Sequence, residues 1–135
     1  MKITTKGRYA VLVMLSLANN YKTGEFLSLK DISEKEGISL KYLEKIMSDL
    51  KKEDYFLSSR GQVGGYKLKY HPSKYKLGDI INCVEKDIAP ADCVKVDNSC
   101  AKQGICKTYP IWKDLNDEMT KYLNSKTLED YMEVK

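Results

Sequence analysis

Apolar positions recur along this chain in several distinct rhythms, and each rhythm predicts a different element. From about Thr5 to Asn20, Tyr9, Ala10, Val11, Leu12, Val13, Met14, Leu15, Leu17 and Ala18 place apolar groups around nearly a whole helical circumference. Such a helix must be covered on most sides, partly by another subunit if the domain is small. Ser28-Leu29-Lys30-Asp31 has the form of a capping box, in which Ser28 accepts from the third helical N–H and Asp31 reaches back. The helix it starts carries Leu29 and Ile32 inward and should stop at Gly37, whose missing Cβ permits a left-handed C-terminal residue. Ser39 then opens a second helix, with Leu43, Ile46, Met47 and Leu50 on one buried face and Lys41, Glu44, Lys45 and Ser48 on the other. Two short helices joined by a tight glycine-containing turn predict a helix-turn-helix, or otherwise a plain helical hairpin with a charged outer face.

The rhythm changes after Tyr55 and Phe56. Strand-like runs flank a glycine-bearing loop from Leu57 to Tyr70, which predicts a β-hairpin. A hairpin directly after a recognition helix is a wing, and Arg60 at its start is the side chain expected in or near the minor groove. Beyond Pro72, Leu77, Ile80, Ile81 and Val84 form the inner face of a short helix, with Cys83 beside them as a small buried hydrophobe. From Thr108 a long helix is predicted. Thr108 serves as its cap, Pro110 sits in its first turn, and Ile111, Trp112, Leu115, Met119, Tyr122 and Leu123 form an apolar stripe suited to dimerisation. Thr127-Leu128-Glu129-Asp130 is a further capping box that starts a short terminal helix. The fold class is therefore mainly α with a small β-hairpin, a winged helix-turn-helix plus a long C-terminal dimerisation helix. Its two parts are a DNA-binding region, residues 1–72, and a region of loop and dimerisation helices, residues 73–135, intertwined as one domain.

Length and charge narrow the partners. A chain of 135 residues has room for one modest core. Residues 1–72 carry a net charge of +5 and residues 73–135 a net −1, within a formal total of +4. A basic half joined to a near-neutral half suits a nucleic-acid module followed by a sensing or assembly module. No apolar run is long enough for a membrane span, and the start lacks the apolar core of a signal peptide, so a cytoplasmic protein without membrane contact is expected.

That compartment keeps thiols reduced, which makes the four cysteines more suited to ligands or sensors than to disulfides. Cys93, Cys100 and Cys106 lie in a polar stretch, residues 89–107, that has neither helical nor strand periodicity. Their spacing is too wide for zinc knuckles, which set two cysteines two to four residues apart. Three thiolates from a loop, with a fourth ligand from elsewhere, suit an iron-sulfur cluster, and Lys95, Lys102 and Lys107 would favour the thiolate forms. A redox loop that forms a disulfide, or exposed cysteines with no ligand role, are the other readings. With one histidine and no grouped nucleophile, base and orienting residue, the sequence offers no catalytic constellation, so an enzyme, such as an electron-transfer protein, is not expected.

Several stretches together resemble the winged-helix iron-sulfur transcriptional regulators of the IscR, NsrR and CymR type, most closely the IscR-like members. They are Met1 to Ala10, Ile38 to Glu44, Ser59-Arg60-Gly61 with Gly64-Gly65-Tyr66, Gly78 to Ile81, the triple-cysteine loop and Trp112. The resemblance covers essentially the whole chain. It implies a homodimeric repressor or dual regulator that binds a double-stranded DNA operator and controls cluster-assembly or sulfur-metabolism genes. It also implies an iron-sulfur cluster, 2Fe-2S with 4Fe-4S as the alternative, on Cys93, Cys100 and Cys106. Glu44 and Arg60 match the family's DNA-contacting glutamate and wing arginine. Glu44 would accept from a cytosine amino group, while Lys41, Tyr42 and Lys45 complete the DNA-binding set, the lysines and the helix dipole meeting phosphates.

Two positions depart from the pattern. Tyr109 stands where IscR-like proteins have a histidine ligand, so the fourth ligand is open among Tyr109, Asp92, Asp97, a partner-subunit residue and an exogenous thiol. Arg8 stands where NsrR-like members have an acidic ligand, which counts against the nitric-oxide-sensing branch. The alternative is a cluster-free, CymR-like repressor of cysteine metabolism, governed by thiol redox or a partner enzyme.

Overall fold

A computed structural model describes residues 3–61, 64–95, 102 and 104–133. Among these residues five α-helices, α1 (Thr5–Asn19), α2 (Leu29–Glu36), α3 (Leu40–Leu50), α4 (Leu77–Val84) and α5 (Tyr109–Ser125), accompany one antiparallel hairpin, β1 (Phe56–Ser59) and β2 (Gly65–Leu68). Helix α1 is the central post, packed against α3, α4 and the terminal 3-10 turn Leu128–Tyr131. Its Ala10, Val13, Met14, Leu17 and Ala18 are buried, while Val11, Leu12 and Leu15 are half-buried and leave one flank of the helix partly open. Ile32, Leu43, Ile46, Met47, Leu50, Leu68, Tyr75, Ile80 and Leu128 close the core around it.

The helix-turn-helix forms where local chemistry places it. Ser28 Oγ accepts the Asp31 N–H at 3.0 Å, although the return bond of a full capping box is not made. Gly37 ends α2 at φ 69°, a left-handed conformation that costs a side-chain-bearing residue energy. Ser39 Oγ then accepts the Tyr42 N–H at 3.1 Å and opens α3. The wing pairs Phe56 with Leu68 and Ser59 with Gly65. It is fastened to the chain before α2 by two backbone bonds of 2.9 Å between Leu27 and Tyr66. A Cβ on Gly65 would lie 2.6 Å from the Leu27 carbonyl oxygen, so that approach requires glycine.

The chain end returns to α4: Leu77 N–H bonds the Lys126 carbonyl at 2.9 Å, and Leu128 N–H bonds the Tyr75 carbonyl at 3.0 Å. The expected capping box of Thr127 and Asp130 forms with both bonds, and it opens a 3-10 turn rather than an α-helix. Helix α1 has an unusual start, with no side-chain cap from Thr4 and no acidic residue in its first turn. Glu85, just past α4, supplies the missing acceptor: its Oε1 takes the Thr4 N–H at 2.9 Å, the Thr4 hydroxyl at 2.5 Å and the Gly7 N–H at 3.1 Å.

Candidate nucleic-acid interface and cysteine loop

Burial of Leu43, Ile46, Met47 and Leu50 turns the opposite face of α3 outward, exposing Lys41, Glu44, Lys45 and Ser48. Among the described residues, Lys41, Glu44, Lys45 and Arg60 have no ion-pair or hydrogen-bond partner, so their charges are available to a ligand. Tyr42 is different. It is half-buried, its ring set edge-on to Tyr9 with centroids 5.8 Å apart, and it fixes α3 against α1. Lys6, Lys41 and Lys45 line one concavity of about 300 Å³ with Ser39 and Tyr42. Lys6 also bonds Asp49 on the inner side of α3, and this contact holds the Asp49 carboxyl below its ordinary pKa. Arg60 follows directly after β1, at the mouth of the wing.

Lys6 and Lys51 join this face without a signal in the apolar pattern. A hint for Lys6 was available: a cation in the first turn of a helix opposes the helix dipole and needs an external reason. Lys51 is the C-cap of α3 and reads as a helix end.

Of the predicted metal ligands, Cys93 and Cys106 are described, and Cys100 lies outside the described residues, as does Asp97. Cys93 and Cys106 are free thiols, half-buried, and Cys93 sits in the 3-10 turn Asp92–Val94 that packs on α5. Cys106 lies just ahead of α5. The Thr108 hydroxyl 3.3 Å from its Sγ, the Thr108 and Tyr109 backbone N–H groups and the nearby Lys102 lower its pKa. Thr108 thus directs its hydroxyl to the thiol instead of capping α5. Asp92 is engaged by Lys95 at 2.7 Å, and the Tyr109 N–H bonds the Cys106 carbonyl at 3.3 Å. Arg8 is exposed and donates to Thr5 Oγ1 at 3.1 Å. Among the described residues no three His, Cys, Asp or Glu side chains gather closely enough to hold a metal ion. Cys83 is 3.8 Å from the Tyr55 hydroxyl, and burial pushes its thiol pKa up, as befits a packing residue. His71 bonds Ser73, stacks edge-on to Tyr21 and lies 3.5 Å from Glu129.

Residues 3–134 match the Rrf2 family, described as iron-dependent transcriptional regulators. The chain belongs to the Rrf2 family. An HTH-type transcriptional regulator IscR of Escherichia coli (strain K12 / DH10B) is 41% identical over 128 residues, covering 95% of this chain and 78% of that one. Among solved structures, CymR of B. subtilis, the global cysteine regulator, has a TM-score of 0.79 at 36% identity, covering 97% of this chain and 95% of that chain. IscR of T. potens has a TM-score of 0.76 at 34% identity, covering 97% and 85%. The winged helix-turn-helix is the shared architecture, and this Rrf2 protein is a transcriptional regulator, not an enzyme. No helix among the described residues is long and apolar enough to cross a membrane.

Proposed function

We propose that this Rrf2 protein is a homodimeric, cytoplasmic repressor or dual regulator that reads iron-sulfur status and controls cluster-assembly or sulfur-metabolism genes. The observation that carries the reading is Cys106, a free thiol just ahead of α5 with the Thr108 hydroxyl 3.3 Å from its Sγ, while the apolar stripe of that helix is uncovered in the protomer. Residues 1–72 bind the DNA operator, and residues 73–135 carry the cluster loop and the dimerisation helix. Lys41, Lys45 and the start of α3 meet phosphates, Tyr42 seats the helix, Glu44 selects a base, and Arg60 reaches the wing-side groove. Cys93, Cys100 and Cys106 would hold the cluster. The donor chemistry fits, since two thiols are unpaired and one is held toward the thiolate that iron ligation needs. When bound, the cluster supplies a charged, redox-active centre joined to the start of the dimer helix. Reordering of the loop ahead of α5 would shift the population of DNA-competent dimers.

The test is purification without oxygen, with iron and sulfide measured for the wild type and for Cys93, Cys100 and Cys106 each changed to Ala. Stoichiometric iron and sulfide, lost in each variant, supports the reading, and the visible bands distinguish 2Fe-2S from 4Fe-4S. Protein that stays colourless after reconstitution favours the second reading, a CymR-like repressor governed by thiol redox or a partner enzyme. Tyr109, which takes the place of the histidine ligand, is the observation on that side.

A further inference from the structure

Between the C-terminal end of α3 and the wing runs an open groove of about 450 Å³, lined by Lys51, Ser58, Ser59, Arg60, Gly64 and Tyr66, with no acidic residue in its walls among the described residues. Lys51 and Arg60 are both exposed and have no ion-pair partner among the described residues. Lys51 is not a loose surface lysine. Its Nζ lies 5.0 Å from the centroid of the Tyr66 ring, and Tyr66 is in turn fixed by its two backbone bonds to Leu27 and by an edge-on contact with Phe56 at 5.9 Å. The wing strand that bears Tyr66 is thereby locked to the helix-turn-helix, and Lys51 is held above the groove.

A major groove and the adjacent minor groove are separated by one sugar-phosphate strand. If α3 enters the first and the wing the second, that strand has to pass between the two elements. The space there is this groove, and beside the apolar Leu29 and the Tyr66 ring its walls offer two cations, two serine hydroxyls and glycine backbone, which suits a phosphate. We infer that Lys51, positioned by Tyr66, seats one backbone phosphate of the operator in this groove, beside the Arg60 that reaches the wing-side groove. The inference rests on the DNA-binding reading and adds a contact that reads no base: Lys51 contributes affinity and register, and specificity stays with Glu44.

The experiment is the salt dependence of binding, by the wild-type dimer and by Lys51→Gln, Lys51→Arg, Arg60→Ala and Glu44→Gln, to operator DNA and to a scrambled duplex. Lys51→Gln is expected to lower the slope of log affinity against log salt by about one phosphate's worth and to weaken both duplexes about tenfold. Base preference is expected to stay unchanged, and Lys51→Arg is expected to restore the slope. Lys51 is exposed, so equal thermal midpoints for the variant and the wild type confirm folding in the same samples. An unchanged slope in Lys51→Gln, with Glu44→Gln and Arg60→Ala still altering operator binding, overturns the seat and leaves the DNA-binding reading intact. Absence of salt-dependent binding in the wild type itself overturns both.

Discussion

The Glu85 carboxylate fills the space that a side chain on Gly7 would need, and it bonds the Gly7 N–H from there at 3.1 Å. A carboxylate 78 residues downstream thus stands in for the absent first-turn acid of α1. It also sets the distance between the end of α4, where the cysteine loop departs, and the helix that carries Lys6. Gly7→Ala is expected to destabilise the protein by about 2 kcal/mol through steric conflict with Glu85 and Ile3. Glu85→Ala should cost about 1 to 2 kcal/mol through loss of the shared acceptor. The double variant should cost less than the sum, because the methyl then has room. Denaturant unfolding of the three variants checks this, and strict additivity would break the link.

Asp49 gives the stability a pH dependence of known sign. Lys6 holds the folded carboxyl below 3.8, so the pair's contribution is complete above the unfolded value and is lost as pH falls through the lowered one. The stability difference between wild type and Asp49→Asn is expected to be flat, at about 0.5 to 1 kcal/mol, from neutral pH down to about 5, and to vanish in stronger acid. Thermal midpoints across that range measure it.

Glu44 is expected to affect selectivity more than affinity. Glu44→Ala should relax the preference at one base pair by about 1 to 3 kcal/mol while scrambled duplex binds no worse. A binding-site selection experiment on the two proteins reads this out, and an unchanged consensus would remove Glu44 from the base-reading role.

Cys83 is expected to stay outside any metal chemistry. Burial raises its pKa, so at mildly alkaline pH it should alkylate far more slowly in folded than in unfolded protein. Cys83→Ala should leave iron content at the wild-type level and cost about 1 kcal/mol of stability. Iron loss in that variant would bring Cys83 into the ligand set.

Ile111, Trp112, Leu115 and Tyr122 are exposed in the protomer, Ile111 by 56% and Tyr122 by 55%. Large apolar groups aligned on one helix face call for cover. Leu115→Glu is expected to raise the dimer dissociation constant at least tenfold. Sedimentation equilibrium measures this, and a wild type that sediments as a monomer would dismiss the dimer.

The parts of the fold that were legible in the sequence are those specified within a few residues. Ser28, Gly37 and Ser39 bound the helix-turn-helix through side-chain acceptors and a left-handed turn, and the Leu43, Ile46, Met47 and Leu50 spacing states which face of α3 is free. What was not legible depends on contacts across the chain. Nothing near Thr4 announces Glu85, and nothing near Lys51 announces that Tyr66 returns beneath it. The cysteine segment illustrates the same division. Cysteine identity predicts thiol chemistry, but the lowering of the Cys106 pKa comes first from Thr108, whose hydroxyl alone would be read as a helix cap. Likewise, nothing in the pattern announces that Asp92, one of the acidic groups that the sequence leaves open as a ligand, pairs with Lys95.

The uncovered stripe of α5 has a consequence for the DNA. When one helix face is covered by the same face of a second copy, the closed arrangement is a two-fold rotation, and both recognition helices obey that axis. For the proposed homodimer, the operator is expected to be an imperfect palindrome, with half-site centres separated by close to a whole number of double-helix turns. Inserting five base pairs at its centre would rotate one half-site to the far side of the duplex and leave the second wing facing solvent.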